Sequence, residues 1–283
     1  MKTNKDKLPL QLYTGRIHHP TNRGTYRVNA IDGKGIILPG VGGITFNYQL
    51  KDNCMNIIGD HIEPGVSIKN PLESENNALN LFSCMGNKAV VVNNPEIKGY
   101  VVGTHGGVEH VMIYFKKEDL YKLNNDDKIN VYGIGTGLKV EGFENVTIMN
   151  IDPELFEKMV TINKDTNKLR IKVTKILPSY LLGSGIGSET AQNGDYDIMT
   201  HDKESYKKYH LDELRFGDFI LIKDHDNIYG RRYIKNYITI GVIVHSDSFS
   251  AGHGPGVMTF ITGDKKYFDI IEDKEENLLN YLK

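Results

Sequence analysis

The sequence predicts a mainly β fold of the barrel or sandwich kind, and two observations carry that prediction. Glycine is abundant, at 29 of 283 residues, and gathers in tight groups such as Pro39-Gly40-Val41-Gly42-Gly43, Gly103-Thr104-His105-Gly106-Gly107 and Gly133-Ile134-Gly135-Thr136-Gly137. Between the groups lie short runs rich in β-branched and aromatic residues. Short strands closed by glycine turns at regular spacing are the pattern of barrels and sandwiches. Strands are expected at 88–92, 111–115, 129–132, 146–149, 169–176, 219–222 and 237–244.

Helices should be few. The best candidate starts at Asn70 as N-cap, with Pro71 at the first helical position and Glu73 closing a capping box. Leu72, Leu79, Phe82 and Met85 then share a face, and Gly86 supplies a left-handed stop. A second helix should follow Asp152-Pro153 and run to about Met159. Shorter ones are expected over 117–123, 203–214 and 274–282. Residues 123–131 and 214–222 echo each other: each is a charged stretch, a turn ending in Asp, then a strand. In such turns the Asp accepts N–H bonds of its own turn. A true duplication implies two β domains, 1–150 and 151–283, the second carrying the His245–Gly256 segment.

Composition narrows the function classes. The apolar fraction of 39% is enough for a core, and 34 basic against 36 acidic residues give a net charge of −2. That balance makes no case for nucleic acid or for an anionic membrane surface. No apolar run approaches the ~20 residues of a spanning helix, and no signal-peptide pattern follows Met1. The two cysteines, Cys54 and Cys84, make no disulfide framework or CxxC zinc motif and read as buried thiols in a cytoplasmic protein.

The chemistry-bearing residues are scattered. His245, Asp247 and His253 lie in a Gly-Pro-Gly-rich segment after the 237–244 strand, and His245 and Asp247 should leave that strand on one face. Two imidazoles and a carboxylate can hold a divalent metal and leave room for water. His61 and Glu63 share a face if 59–65 is extended. His105-Gly106-Gly107-Val108-Glu109-His110 resembles a zinc-protease string but fails its spacing and its need for a helix; in a strand, only one of Glu109 and His110 can reach a shared site. Asp195 and Asp197 place two carboxylates on one strand face, as do Asp224 and Asp226. Arg231 could grip an anionic group, and Gly252 and Gly254 let backbone approach a substrate. The Gly183–Gly187 run lacks the Lys and Ser/Thr of a nucleotide-binding loop, and no Gly-x-Ser-x-Gly elbow occurs. Each cluster alone also reads as a solvated turn.

Six strings occur together in this order: 38–45, 59–67, 105–110, 183–187, 194–198 and 245–257. In this the chain resembles an uncharacterised prokaryotic family catalogued as domain of unknown function 4438. The resemblance covers nearly the whole chain. It implies a mainly β fold with a barrel-like domain plus a layered β-sandwich domain and a few short helices, and it implies no activity. A fainter similarity links His245-Ser246-Asp247 and Gly252–Gly256 to the metal-dependent formamidase/acetamidase family. Here that family's Glu is missing and its Asp–His order is changed.

The expectation is therefore an enzyme that hydrolyses a small polar substrate bearing an amide or carboxylate, with a divalent metal on His245, Asp247, His253 and His61. Glu63, Glu109, His105, Asp195 and Asp197 would carry the acid–base work. Arg231, Gly252 and Gly254 would hold the substrate. The rival readings are a metal-free binder of a small anion or metabolite and an assembly protein, and a homo-oligomer stays open.

Overall fold

The structure, a computed structural model, describes residues 1–22, 27–183 and 190–282. The first half supplies β1 (Gln11–Ile17), β2 (Arg27–Val28), β3 (Gly35–Ile36), β4 (Ile44–Thr45), β5 (Gly65–Lys69), β6 (Lys88–Val91), β7 (Lys98–His105), β8 (His110–Tyr114) and β9 (Lys128–Gly133). Strands pair antiparallel in the order β1-β9-β6-β7-β8-β5, and β5 pairs back onto β1 through Arg16–Lys69 and Ile17–Ile68. The sheet therefore closes into a barrel and loses its free edges. Ile17, Ile68, Val101, Ile113, Ile129 and Val131 fill its interior.

The second half supplies β10 (Thr147–Ile148), β11 (Val160–Asn163), β12 (Lys168–Val173), β13 (Lys175–Pro178), β14 (Tyr196–Asp197), β15 (Phe219–Asp226), β16 (Arg232–His245), β17 (Gly256–Asp264) and β18 (Phe268–Glu272). A sheet runs β10-β17-β16-β15-β13, with β14 also on β17, and a smaller one runs β11-β12-β18. Strand alternation joins the halves. Val101 of β7 belongs to the barrel core, while Val102 and Met112 face the core of the second half with Val244 and Met258. A Cβ on Gly103 would lie 2.7 Å from Val244 Cγ1, so glycine there lets β7 approach β16 closely.

The helices are short: α1 (Glu73–Phe82), α2 (Lys117–Leu120), α3 (Pro153–Met159) and α4 (Lys203–Lys208). Asp152 caps α3 by accepting from Glu154 and Leu155 N–H, as the Asp-Pro start implies. The α1 helix departs from expectation. Asn70 forms a turn in which its Oδ1 accepts from Leu72 N–H, and the helix begins three residues after it, at Glu73. The inward face is Asn76, Leu79 and Asn80, whereas Leu72 and Phe82 are exposed. The two asparagine side chains turn inward because each donates to the carbonyl of Glu109, in a left-handed turn with φ of 58°.

The sequence echo is a real geometric repeat of a turn. Asp127 Oδ2 accepts from Asn124 N–H, and Asp218 Oδ2 accepts from Arg215 N–H. Asp126 and Gly217 both have positive φ, at 71° and 82°. Each turn then docks on a neighbouring strand by two backbone bonds, to Ile17 in one case and Ile243 in the other. Cys54 and Cys84 are buried free thiols, and burial pushes Cys84 up to about 12. Among the described residues no helix is long and apolar enough to cross a membrane.

His225 in β15 is buried, and its Nδ1 lies 2.8 Å from Thr239 Oγ1. Burial, and then the charge of Arg231, lower it to about 4. The unfolded chain takes up this proton near pH 6.5, so the contribution is complete above that pH and fades as pH falls toward 4. The loss is on the order of 3 kcal/mol across the window. Melting curves between pH 7 and pH 4 should fall more steeply for the wild type than for His225→Gln. Parallel curves would rule this out.

Candidate metal centre

Five strand ends and two loops converge between the barrel and the second sheet. His105 ends β7 and His110 opens β8, paired across the turn. His245 ends β16, Gly256 opens β17, and Asp197 ends β14. Gly256 pairs with His245 on one side and with Asp197 on the other. A glycine in the middle of that row leaves space for side chains from both flanks. A Cβ there would collide with Asp195 Oδ2 and His245 Nε2. The loop after β4 brings Asp60, His61 and Glu63, and the loop before β17 brings His253.

The side chains form two adjoining triads, His105–Asp195–His245 and His61–Asp197–His253. In each, the donor atoms lie within 4.8 Å of one another, so each grouping could hold a metal ion. The His105 and His245 rings stack with centroids 4.2 Å apart. Asp195 Oδ2 and His245 Nε2 lie 2.8 Å apart, yet neither has an aligned hydrogen-bond partner among the described residues. Buried polar atoms of this kind call for a third participant, such as an ion or water.

Three imidazoles have their outward nitrogens engaged. His105 Nδ1 lies 2.6 Å from Glu63 Oε1, His245 Nδ1 lies 2.9 Å from the Ser246 carbonyl, and His61 Nδ1 lies 3.3 Å from Asp60 Oδ2. Such outer partners fix the tautomer and leave Nε2 as the donor. Asp60 is itself held by Ser248 Oγ and Arg27 Nε, and Asp195 Oδ1 accepts from Gly106 N–H.

The charges are interdependent. Burial raises Glu63, but His110 and His105 beside it outweigh this and hold its carboxyl well below the usual carboxylate range. Burial raises Asp197 too, and the neighbouring His245, His253 and His61 hold it well below that range. Burial lowers His245, but Asp195 and Asp197 drive it well above the ordinary imidazole value; His61 is raised against its burial mainly by Asp197 and Asp60. Burial and the neighbouring His245 lower His105. The carboxylates thus demand positive charge, which protons or a divalent cation can supply.

Of the residues singled out in the sequence, His61, His105, Asp195, Asp197, His245 and His253 meet in the triads. Segment 59–65 does not put His61 and Glu63 there by simple alternation, because His61 has φ of 55°. Glu63 lies just outside with its acceptor capacity filled by Gly42 N–H, Ser67 Oγ, His105 and His110. It orients imidazoles rather than standing free as a base. Glu109 is outside: its half-exposed carboxylate lies 3.6 Å from Lys69. Asp247 is half-buried and turned away, accepting from Thr200 Oγ1 and Ser248 N–H, and desolvation raises it. Arg231 donates to the Gly183 carbonyl. Gly254 serves close packing against the Ile198 carbonyl, and Gly252, with φ of 78°, lays its carbonyl against Gly183. Asp226 pairs with Arg232, away from the triads. Most of the Gly183–Gly187 run lies outside the described residues.

Sequence reasoning set His110 behind Glu109 and passed over Asp60, Gly256 and His18, whose Nδ1 lies 3.0 Å from His110 Nε2. His110 and Asp60 sit inside motifs that were recognised, and Gly256 ends a recognised turn. His18, one of a His-His pair after β1, carries no signal of its own.

Fold and site together define a mainly β protein, barrel plus further sheets, with a buried imidazole–carboxylate cluster where the two meet. The chain belongs to the family whose halves are described as Domain of unknown function (DUF4438), N-terminal, matching residues 26–157, and C-terminal, matching residues 158–282. It is similar over 100% of its length, and 99% of the other chain, to the solved crystal structure of TM1086, with 39% identity and a TM-score of 0.93. No curated protein matches it.

Proposed function

We propose that this protein is a metal-dependent hydrolase of a small polar substrate. The observation that carries the reading is the pair of buried, unaligned donors, Asp195 Oδ2 and His245 Nε2, 2.8 Å apart beside His105. Three protein donors of mixed imidazole and carboxylate type suit a transition ion such as zinc, manganese or iron and leave positions for water, which is the catalytic rather than the structural pattern. A cation there would supply Lewis acidity and lower the pKa of a bound water. The protein's own contribution is orientation: Glu63, the Ser246 carbonyl and Asp60 each lock one imidazole. A cavity lined by Thr21, Arg27, Ile36, Leu38, Gly40 and Asp60 adjoins the cluster at Asp60. Arg27, half exposed and bonded to Asp60, lines this cavity and offers a cation to a substrate carboxylate entering it.

Metal analysis of protein purified without chelator or added metal tests this. Bound transition metal is expected, with Asp195→Asn losing it along with any hydrolysis found across small amides and carboxylate esters. A metal-free wild type whose melting is unchanged by zinc, manganese or cobalt would refute the reading. Metal with stabilisation by small carboxylates, and no turnover, would favour a binding protein instead.

A further inference from the structure

We infer that the centre takes two divalent cations, with Asp197 bridging them and His61 and His253 completing a second site beside the one formed by His105, Asp195 and His245. This deepens the metal-dependent reading and rests on it. The key observation is how one carboxylate divides its oxygens. Asp197 Oδ1 lies 3.4 Å from His245 Nε2. Asp197 Oδ2 lies 2.7 Å from His253 Nδ1 and 3.5 Å from His61 Nε2. A carboxylate serving one cation needs no more than a single hydrogen-bond donor, or solvent, at its spare oxygen. Here the second oxygen faces two further imidazole nitrogens, themselves 3.1 Å apart.

The surroundings support two charges rather than one. Asp60, Glu63, Asp195 and Asp197 are all buried. Glu63 is matched by His105 and His110, and Asp60 by Arg27. Asp195 and Asp197 have only imidazoles beside them, and buried carboxylates need a paired charge or a metal. The triads lie side by side, with the His61 and His245 rings 4.9 Å apart between centroids. They differ in access: His245 is fully buried, whereas the His253 side chain is 38% exposed. The second cation therefore sits nearer solvent and should exchange faster. Paired cations suit hydrolyses in which both the attacking and the leaving oxygen need stabilising.

Chelator-stripped protein titrated with Co²⁺ should take up two equivalents per chain, the second more readily lost. His253→Ala should take up one, its affinity staying within about tenfold of the tighter wild-type step. Mn²⁺-loaded wild type should show an exchange-coupled paramagnetic resonance spectrum, and His253→Ala the spectrum of isolated ions. His61→Gln should reproduce the loss if the alanine variant fails to fold. A single equivalent in the wild type, unchanged in both variants, overturns the second site and leaves a one-metal hydrolase standing. No uptake by the wild type overturns both.

Discussion

Gly256→Ala is expected to abolish metal binding although it removes no ligand. The added methyl falls on Asp195 Oδ2 and His245 Nε2, the two donors that meet over this glycine. Neither can retreat easily. His245 is fully buried, with Nδ1 held by the Ser246 carbonyl, and Asp195 Oδ1 is held by Gly106 N–H. The overlap must push one donor out of the triad. Losing an outer partner of a ligand already costs 10–100-fold in affinity, so displacing a ligand should cost at least about 100-fold. Overpacking of this kind also costs about 1–3 kcal/mol of stability. Co²⁺ titration and thermal melting of the variant measure both. Wild-type affinity in Gly256→Ala would mean that Asp195 and His245 do not act on a common ion.

That prediction also shows why the site was only partly legible in the sequence. Gly256 stood out as part of a Gly-Pro-Gly turn, and turn chemistry is a local property. Its value to the site comes from β17 lying between β14 and β16, a pairing of segments about sixty residues apart in the chain. The same distinction explains Asp247. Alternation along the 237–244 strand put His245 and Asp247 on one face, but β16 ends at His245, and Asp247 then follows its own turn. The mainly β character was legible because glycine turns and short β-branched runs are local signals. The barrel closure of β1 onto β5 was not, since it depends on a contact between Ile17 and Ile68 that no periodicity encodes. In α1, composition suggested an apolar stripe, but Asn76 and Asn80 took the inner face because the Glu109 carbonyl there needed donors.

Glu63 gives the second large effect, and two substitutions there should separate its two roles. Its carboxylate is buried and accepts from His105, His110, Ser67 and the Gly42 N–H. Glu63→Ala leaves those donors without their acceptor and the imidazoles without their counter-charge. Breaking a buried ionic arrangement from one side costs about 3–5 kcal/mol. Glu63→Gln keeps the volume and one acceptor oxygen, so the fold should suffer less. It still loses the negative charge that holds His105 Nδ1 and strengthens that ring as a donor. Metal affinity should therefore fall by about 10–100-fold while the protein stays folded. The pH dependence has a definite sign. The folded-state pKa of Glu63 lies well below the ordinary glutamate value, so its contribution is complete above the unfolded value and is lost as pH falls toward the folded one. Wild-type melting should thus decline below about pH 4.3 by a component that both variants lack. If Glu63→Gln binds Co²⁺ as tightly as the wild type, the carboxylate does not act through His105. Glu63 would then serve the buried network with His110 and Ser67 rather than the metal centre.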